Sequence, residues 1–323
     1  MEREYLNQNL REAIIIGDLE NVRNSIAEGA DINGCDWAGW TPLHIAVSKG
    51  LIAHVELILE TPDADFNVQN VDDDTPLHLA VKGGYLDIVK LLLEQTDIDP
   101  NKVNEDDDTL LHLAVKGGYI DIVKLLLEQT DIDPNKVNED ADTPLHLAVE
   151  GGYLDIVKLL LEQTDIDPNK VNEYEDTLLH LAVENGYLDI VKLLLERTDI
   201  DPNKVNQNDD TLIHFAAKGG YLDIVKLLLE QTDIDPNKVN KEGDSPLHSA
   251  AESGNIAIVK LFLERTDIDV NMLNKSGNNA LHSAVKHGHL NIVELLLDRT
   301  DIDPNKVNEV WNVVLINIVN LSY

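Results

Sequence analysis

Eight of the eleven histidines stand in one register, at His44, His78, His112, His146, His180, His214, His248 and His282, with 34 residues between successive members. A row of imidazoles invites a zinc reading. Groups one repeat apart, however, stand about one packed-helix separation apart, roughly 8–10 Å, whereas zinc holds nitrogen ligands at ~2.0–2.1 Å. Each histidine closes a TPLH-like tetrad that opens at Thr41, Thr75, Thr109, Thr143, Thr177, Thr211, Ser245 or Asn279. The predicted role is therefore a hydrogen bond from the ring back to the preceding loop, not a metal site.

Carboxylates are the second candidate chemistry. The loop from Asp97 to Asp108 reads DIDPNKVNEDDD. Asp97, Asp99 and Asn101 match the first three ligand positions of a calcium loop, but its sixth position is Lys102 and its twelfth is Asp108, where such a loop needs glycine and glutamate. Loose cation condensation along an acidic edge is expected instead, and a calcium-responsive acidic repeat stays as one alternative function. The chain contains no GxxxxGK, GxGxxG, HExxH or GxSxG, so the phosphate-cradling, metalloprotease and serine-nucleophile arrangements are missing. The carboxylates fall on solvated loops rather than in a cleft that could shift their pKa values. No catalytic residue, no metal and no cofactor is expected, and the chain does not read as an enzyme.

Aspartate and glutamate number 60 against 25 lysines and arginines, a formal charge of −35. Nucleic acids and anionic membranes require a basic footprint, so neither is an expected partner. A basic protein is. Cys35 is the only cysteine, which excludes an intramolecular disulfide and fits a reducing compartment. The opening MEREYLNQNLREAIIIG has one short apolar run, Ala13 to Ile16, and starts acidic, unlike a conventional signal peptide. No stretch approaches the ~18 apolar residues of a membrane span.

The elements that position these groups follow from the stretch beginning DTPLHLAVKGGYLDIVKLLLEQTDIDPN at Asp74. Thr75 suits an N-cap and Pro76 the first helical position. Leu77, Ala80 and Val81 give one apolar face at i, i+3 and i+4, and Gly83 with Gly84 ends the helix. A second helix is predicted over about Leu86 to Glu94, with Ile88, Val89, Leu91, Leu92 and Leu93 apolar almost all round, so neighbouring repeats must cover it on both sides. Lacking a glycine after this helix, the chain is expected to close it through Thr96 or Asp97.

Helix, tight turn, helix and a loop carrying the next TPLH resemble the ankyrin repeat, whose signature is TPLHxA. The resemblance covers Asn7 to about Asn312. It implies an all-α ankyrin-repeat solenoid of stacked helix-turn-helix units with finger loops, forming a single domain over 1–312. Residues 7–40 read as an N-terminal capping repeat, 41–312 as eight full repeats, and 313–323 as a truncated half-repeat or tail. It also implies a non-catalytic protein-protein interaction scaffold, monomeric, that binds a protein partner through fingers and a concave face. Such proteins occur in eukaryotes and as effectors that bacteria deliver into hosts, which places the chain in a cytoplasm, its own or the host's.

Carried over by position, the fingers contribute Asp72 and Asp74, Asp106 and Asp108, Asp140 and Asp142, and Tyr174 and Asp176, an acidic comb with one aromatic. The first finger reads DWAGW, and its Trp37 and Trp40 fall where the family commonly exposes side chains, the residue type that interface hot spots favour. The family's finger glycine is kept as Gly39, Gly243 and Gly277 but is Asp73, Asp107, Ala141, Glu175 and Asp209 between, so the tight finger turn is expected to be disturbed there. A structural spacer without a dedicated ligand is the other alternative, because the central repeats are nearly identical.

Overall fold

The computed structural model describes residues 2–129, 132–231 and 234–299, and among them every regular element is a helix. The half-repeat or tail expected over 313–323, and the loop that leads to it, lie outside the described residues. Packing divides the chain into two compact blocks, Met1–Asp167 and Pro168–Tyr323.

The first block begins with α1 (Glu2–Ile16) and α2 (Leu19–Ala27). It continues in pairs: α3 (Pro42–Ser48) with α4 (Ile52–Leu59), α5 (Pro76–Lys82) with α6 (Leu86–Leu93), α7 (Leu110–Lys116) with α8 (Ile120–Leu127), and α9 (Pro144–Glu150) with α10 (Leu154–Leu161). First helices pack on first helices and second on second, so each apolar face is covered by the next repeat. In the repeat of α5 and α6, Leu77, Ala80, Val81, Ile88, Val89 and Leu92 are buried. The larger of these contribute about 1.5–3 kcal/mol each. The second block repeats the scheme with α11 (Leu178–Glu184), α12 (Leu188–Leu195), α13 (Leu212–Gly219), α14 (Leu222–Glu230), α15 (Pro246–Glu252), α16 (Ile256–Leu263), α17 (Ala280–Lys286) and α18 (Leu290–Leu297).

The cap that starts each first helix explains the histidine register. At Thr75 the hydroxyl accepts from the His78 amide at 3.3 Å. The Thr75 amide in turn donates to His78 Nδ1 at 3.1 Å. The imidazole takes the place that glutamate fills in the usual capping box. Because a backbone amide can only donate, Nδ1 must be the acceptor, and the proton sits on Nε2. Nε2 donates onward to a carbonyl of the following finger region: His44 to Asp74 at 3.1 Å, His112 to Asp142 at 3.0 Å, His180 to Asp210 at 3.3 Å and His248 to Asn278 at 3.0 Å. The predicted loop-to-helix tie is present, and it also links one repeat to the next.

The second helices end where the sequence reading put them to within a residue, α6 at Leu93 and α14 at Glu230, but they close differently. Leu93 is the last residue of α6, and Gln95 donates back to the Leu92 carbonyl at 3.1 Å. An ordinary right-handed Glu94 is the C-cap, so neither Thr96 nor Asp97 is needed.

Candidate functional site: the finger loops

Each finger is a five-residue hairpin. In the second, the Asn70 amide donates to the Asp74 carbonyl at 3.0 Å and Asp73 donates to the Asn70 carbonyl at 3.1 Å. The Asn70 side-chain oxygen accepts from the amides of Asp72 and Asp74 at 3.0 and 2.9 Å. Asp36 does the same in the first finger, accepting from Ala38 and Trp40 at 2.9 Å each. Closing so short a loop forces its fourth residue into the left-handed region. Gly39 meets this with φ 78°, and a Cβ there would lie 2.8 Å from Asn70 Cα. Contrary to the sequence expectation, the turn survives without glycine: φ is 54° at Asp73, 56° at Asp107, 60° at Ala141, 59° at Glu175 and 58° at Asp209. The asparagine clamp and the hydrogen bonds between fingers over-determine the loop, so the backbone bears the strain.

Those bonds join tip to tip. Val71 donates to Ala38 at 3.1 Å, Glu105 to Asp72 at 3.1 Å and Glu139 to Asp106 at 3.1 Å in the first block. In the second, Gln207 donates to Tyr174 at 3.1 Å, Lys241 to Asn208 at 2.9 Å and Lys275 to Glu242 at 2.9 Å.

The sequence reading put ten residues on one partner-facing comb, and the loop geometry separates them into two rows. At the tips, Trp37 is 94% exposed and Tyr174 51%. Asp72 and Asp140 are exposed and Asp106 is half-buried. At the bases, Asp74, Asp108 and Asp176 are buried, while Trp40 and Asp142 are half-buried. The left-handed residue before each base position turns its side chain back toward the first helix. Trp40 occupies the same slot as these aspartates and lies 6.1 Å from His44, ring centre to ring centre.

The buried base carboxylates carry internal partners. Lys82 Nζ donates to Asp74 at 2.7 Å. Asp108 receives Lys116 Nζ at 2.6 Å on one oxygen and Asn138 Nδ2 at 3.1 Å on the other. Burial raises the Asp74 carboxyl above its ordinary range even with Lys82 opposing. Asp176 is also raised, first by burial and then by the negative Glu184 and Asp210, against a hydrogen bond from the Asn206 side chain. Burial lowers His44, His112, His214 and His248, and takes His78, His180 and His282 to about 4. They are neutral structural groups at pH 7.

Two asparagine series were missed by the sequence reading. One is the finger clamp: Asn70, Asn104, Asn138, Asn172, Asn206, Asn240 and Asn274. The other ties the DIDPN loops. Asn67 Nδ2 donates to the Asp97 carbonyl at 2.6 Å and its Oδ1 accepts from the Asp99 amide at 2.8 Å. Asn135 repeats this with Asp165 and Asp167 at 2.6 and 2.8 Å. The Asp99 carboxylate itself caps the Asn101 amide at 3.0 Å. Recurrence at the 34-residue period was the available signal. Among the described residues, no three His, Cys, Asp or Glu side chains are placed to hold a metal ion, and no helix is long and apolar enough to cross a membrane.

A family model described as ankyrin repeats in three copies matches residues 10–104, 96–172, 165–240 and 213–308. The chain belongs to the ankyrin-repeat family. Among curated proteins, an ankyrin segment of 41 residues is 56% identical to protein phosphatase 1 regulatory subunit 27 of Homo sapiens and 54% identical to that of Mus musculus. Each match covers 13% of this chain and 27% of the relative. The chain therefore spans about a quarter of the length of these relatives, little more than one ankyrin repeat.

Proposed function

We propose that this chain is a non-catalytic interaction module that binds a basic protein through its finger tips, with Trp37 as the apolar anchor. The observation that carries this reading is the exposure of Trp37, 94%, beside Val71 at 62% on the adjoining finger. A backbone hydrogen bond joins Val71 to Ala38, the residue after Trp37, so two adjoining fingers each offer an exposed apolar side chain flanked in sequence by a carboxylate, Asp36 and Asp72. Interface anchors of this kind often contribute ~2 kcal/mol or more. The charge of −35 steers a basic partner and raises its association rate by ~10–10³ at low salt. Trp40, packed against His44, supports the finger instead.

The likeness to phosphatase regulatory subunits is one repeat long and fits protein binding in the coarse sense only. Monomeric state, no nucleic-acid partner and a reducing cytoplasm are part of the same proposal; the charge and the single cysteine support them.

The test is capture of partners from a eukaryotic lysate, followed by titration of the purified partner at low and physiological salt. Trp37→Ala should leave the melting temperature unchanged and weaken affinity about 30-fold, the equivalent of ~2 kcal/mol. Equal affinities for wild type and variant would remove the anchor. The spacer alternative draws on the near-identity of the central repeats. Deleting residues 109–142, one period, would leave a spacer functional but throw a register-matched partner out of alignment.

A further inference from the structure

We propose that His282, in the second block, is the docking point for residues 308–312 of this same chain, its Nε2 donating to the Asn312 carbonyl. This goes beyond the proposed function and stands whether or not a basic partner is found.

In the register of buried histidines, Nε2 carries the proton and gives it to a carbonyl. For His44, His112, His180, His214 and His248 that carbonyl lies 30 residues on, at Asp74, Asp142, Asp210, Asp244 and Asn278, at 2.9 to 3.3 Å. His78 uses the Lys102 carbonyl at 3.1 Å instead. His282 is 1% exposed, and the Asn279 amide donates to its Nδ1 at 3.2 Å, so here too the proton sits on Nε2. Yet this Nε2 is buried and has no partner. Among the described residues, no other histidine of the register has an unpartnered buried nitrogen, and a buried donor without an acceptor is unfavourable.

His282 lines a polar cavity of about 60 Å³ between α15 and α17, together with Asn278, Ser283, Lys286 and His287. Small-molecule pockets run to roughly 300–1,000 Å³, so this one has room for a carbonyl group and little more. A ring nitrogen that carries its proton cannot bind a metal ion, and its complement is an acceptor oxygen. The Asp244 carboxylate, which also lines the cavity, is already engaged by Asn274 Nδ2 at 2.8 Å.

The sequence supplies the acceptor at the interval seen in the other repeats. Asn312 stands 30 residues after His282 and closes the stretch NEVWN, which opens at Asn308, one 34-residue period after Asn274. The opening asparagine is the residue that clamps each finger: Asn274 Oδ1 accepts from the amides of Ser276 and Asn278 at 3.0 Å each. Asn308 brings the same side chain to the same place in the repeat. Thr300 to Asp303 repeats the TDID of Thr266 to Asp269, and Asn308 follows α18 at the distance in sequence at which Asn274 follows α16, so the reach is equal. One residue departs from the pattern. Trp311 stands in the slot that Gly277 fills at φ 73°, and a bulky side chain is strained there. This docking is therefore weaker than that of a finger with glycine, and relieving the strain should tighten it.

The experiment follows the His282 Nε2 proton in the full chain. Exchange of the imidazole protons with water is measured by NMR on protein labelled with ¹⁵N-histidine, the His282 signal being assigned by its loss in His282→Gln. Asn308→Ala removes the clamp and should speed exchange at His282 about tenfold. Trp311→Gly should slow it about threefold. Asn320→Ala, the same change further along the chain, should do neither, and the His248 signal should keep its rate in all three variants because the repeat before it stays folded. An unchanged rate at His282 in Asn308→Ala or in Trp311→Gly, or an equal change in Asn320→Ala, overturns the docking. So does protection of His282 that arises only when a partner protein is added, since the cavity would then belong to the partner.

Discussion

Replacing Ala141 and Glu175 with glycine should make the chain more stable, although glycine on its own loosens an unfolded chain. Both residues sit at φ near 60°, where an L-amino acid's Cβ crowds the following carbonyl at roughly 1–2 kcal/mol. Glycine removes that cost and adds unfolded-state freedom worth about 0.4–1 kcal/mol. The balance is a gain of about 0.5–1 kcal/mol per site. Asp73, Asp107 and Asp209 should gain less, since aspartate tolerates the left-handed region by hydrogen-bonding locally. The double variant Ala141→Gly, Glu175→Gly is read by urea denaturation followed by far-ultraviolet circular dichroism, as a rise in midpoint at unchanged slope. Gly39→Ala is the reciprocal control: its Cβ would meet Asn70 Cα at 2.8 Å at φ 78°, and a loss of about 2 kcal/mol is expected. A double variant that is neutral or less stable would show that the finger backbone is not strained there, and the account of fingers held by their clamps would fail.

Acid should destabilise the fold through three buried histidines of the TPLH register, His78, His180 and His282. They are neutral in the fold, with values lowered to about 4 at His78, His180 and His282, and 6.5 when unfolded, so stability present above pH 6.5 is lost as pH falls toward 4. At pH 5 that is about 2 kcal/mol for each of the three, read as a falling urea midpoint between pH 7.5 and 5. Asp74 and Asp176, raised by burial, act with the opposite sign and gain stability as pH falls through their folded values. Lys116→Ala leaves Asp108 buried without its cation and should cost about 2 kcal/mol, less than a fully buried pair because the lysine is 43% exposed. Asn67→Ala removes two hydrogen bonds to the next loop and should cost about 1–2 kcal/mol; hydrogen exchange at the Asp99 amide reports it locally.

The repeat, its helices and the histidine tie were legible in the sequence because each is a local matter. Thr75, Pro76 and His78 form a cap within four residues, and Leu77, Ala80 and Val81 fall on one face by helical geometry alone. The finger positions were legible too, since the period fixes which residue stands where. Period does not fix direction. Trp37 and Trp40 lie three residues apart in one finger, yet one is almost wholly exposed and the other packs on His44. Asp72 and Asp74 differ in the same way, because a left-handed Asp73 between them turns one carboxylate to water and the other to Lys82. That turn is held by hydrogen bonds from the neighbouring finger and helix, groups roughly 30 residues distant in sequence. For the same reason the asparagines, although they recur at the 34-residue period, showed their clamping role only in the fold.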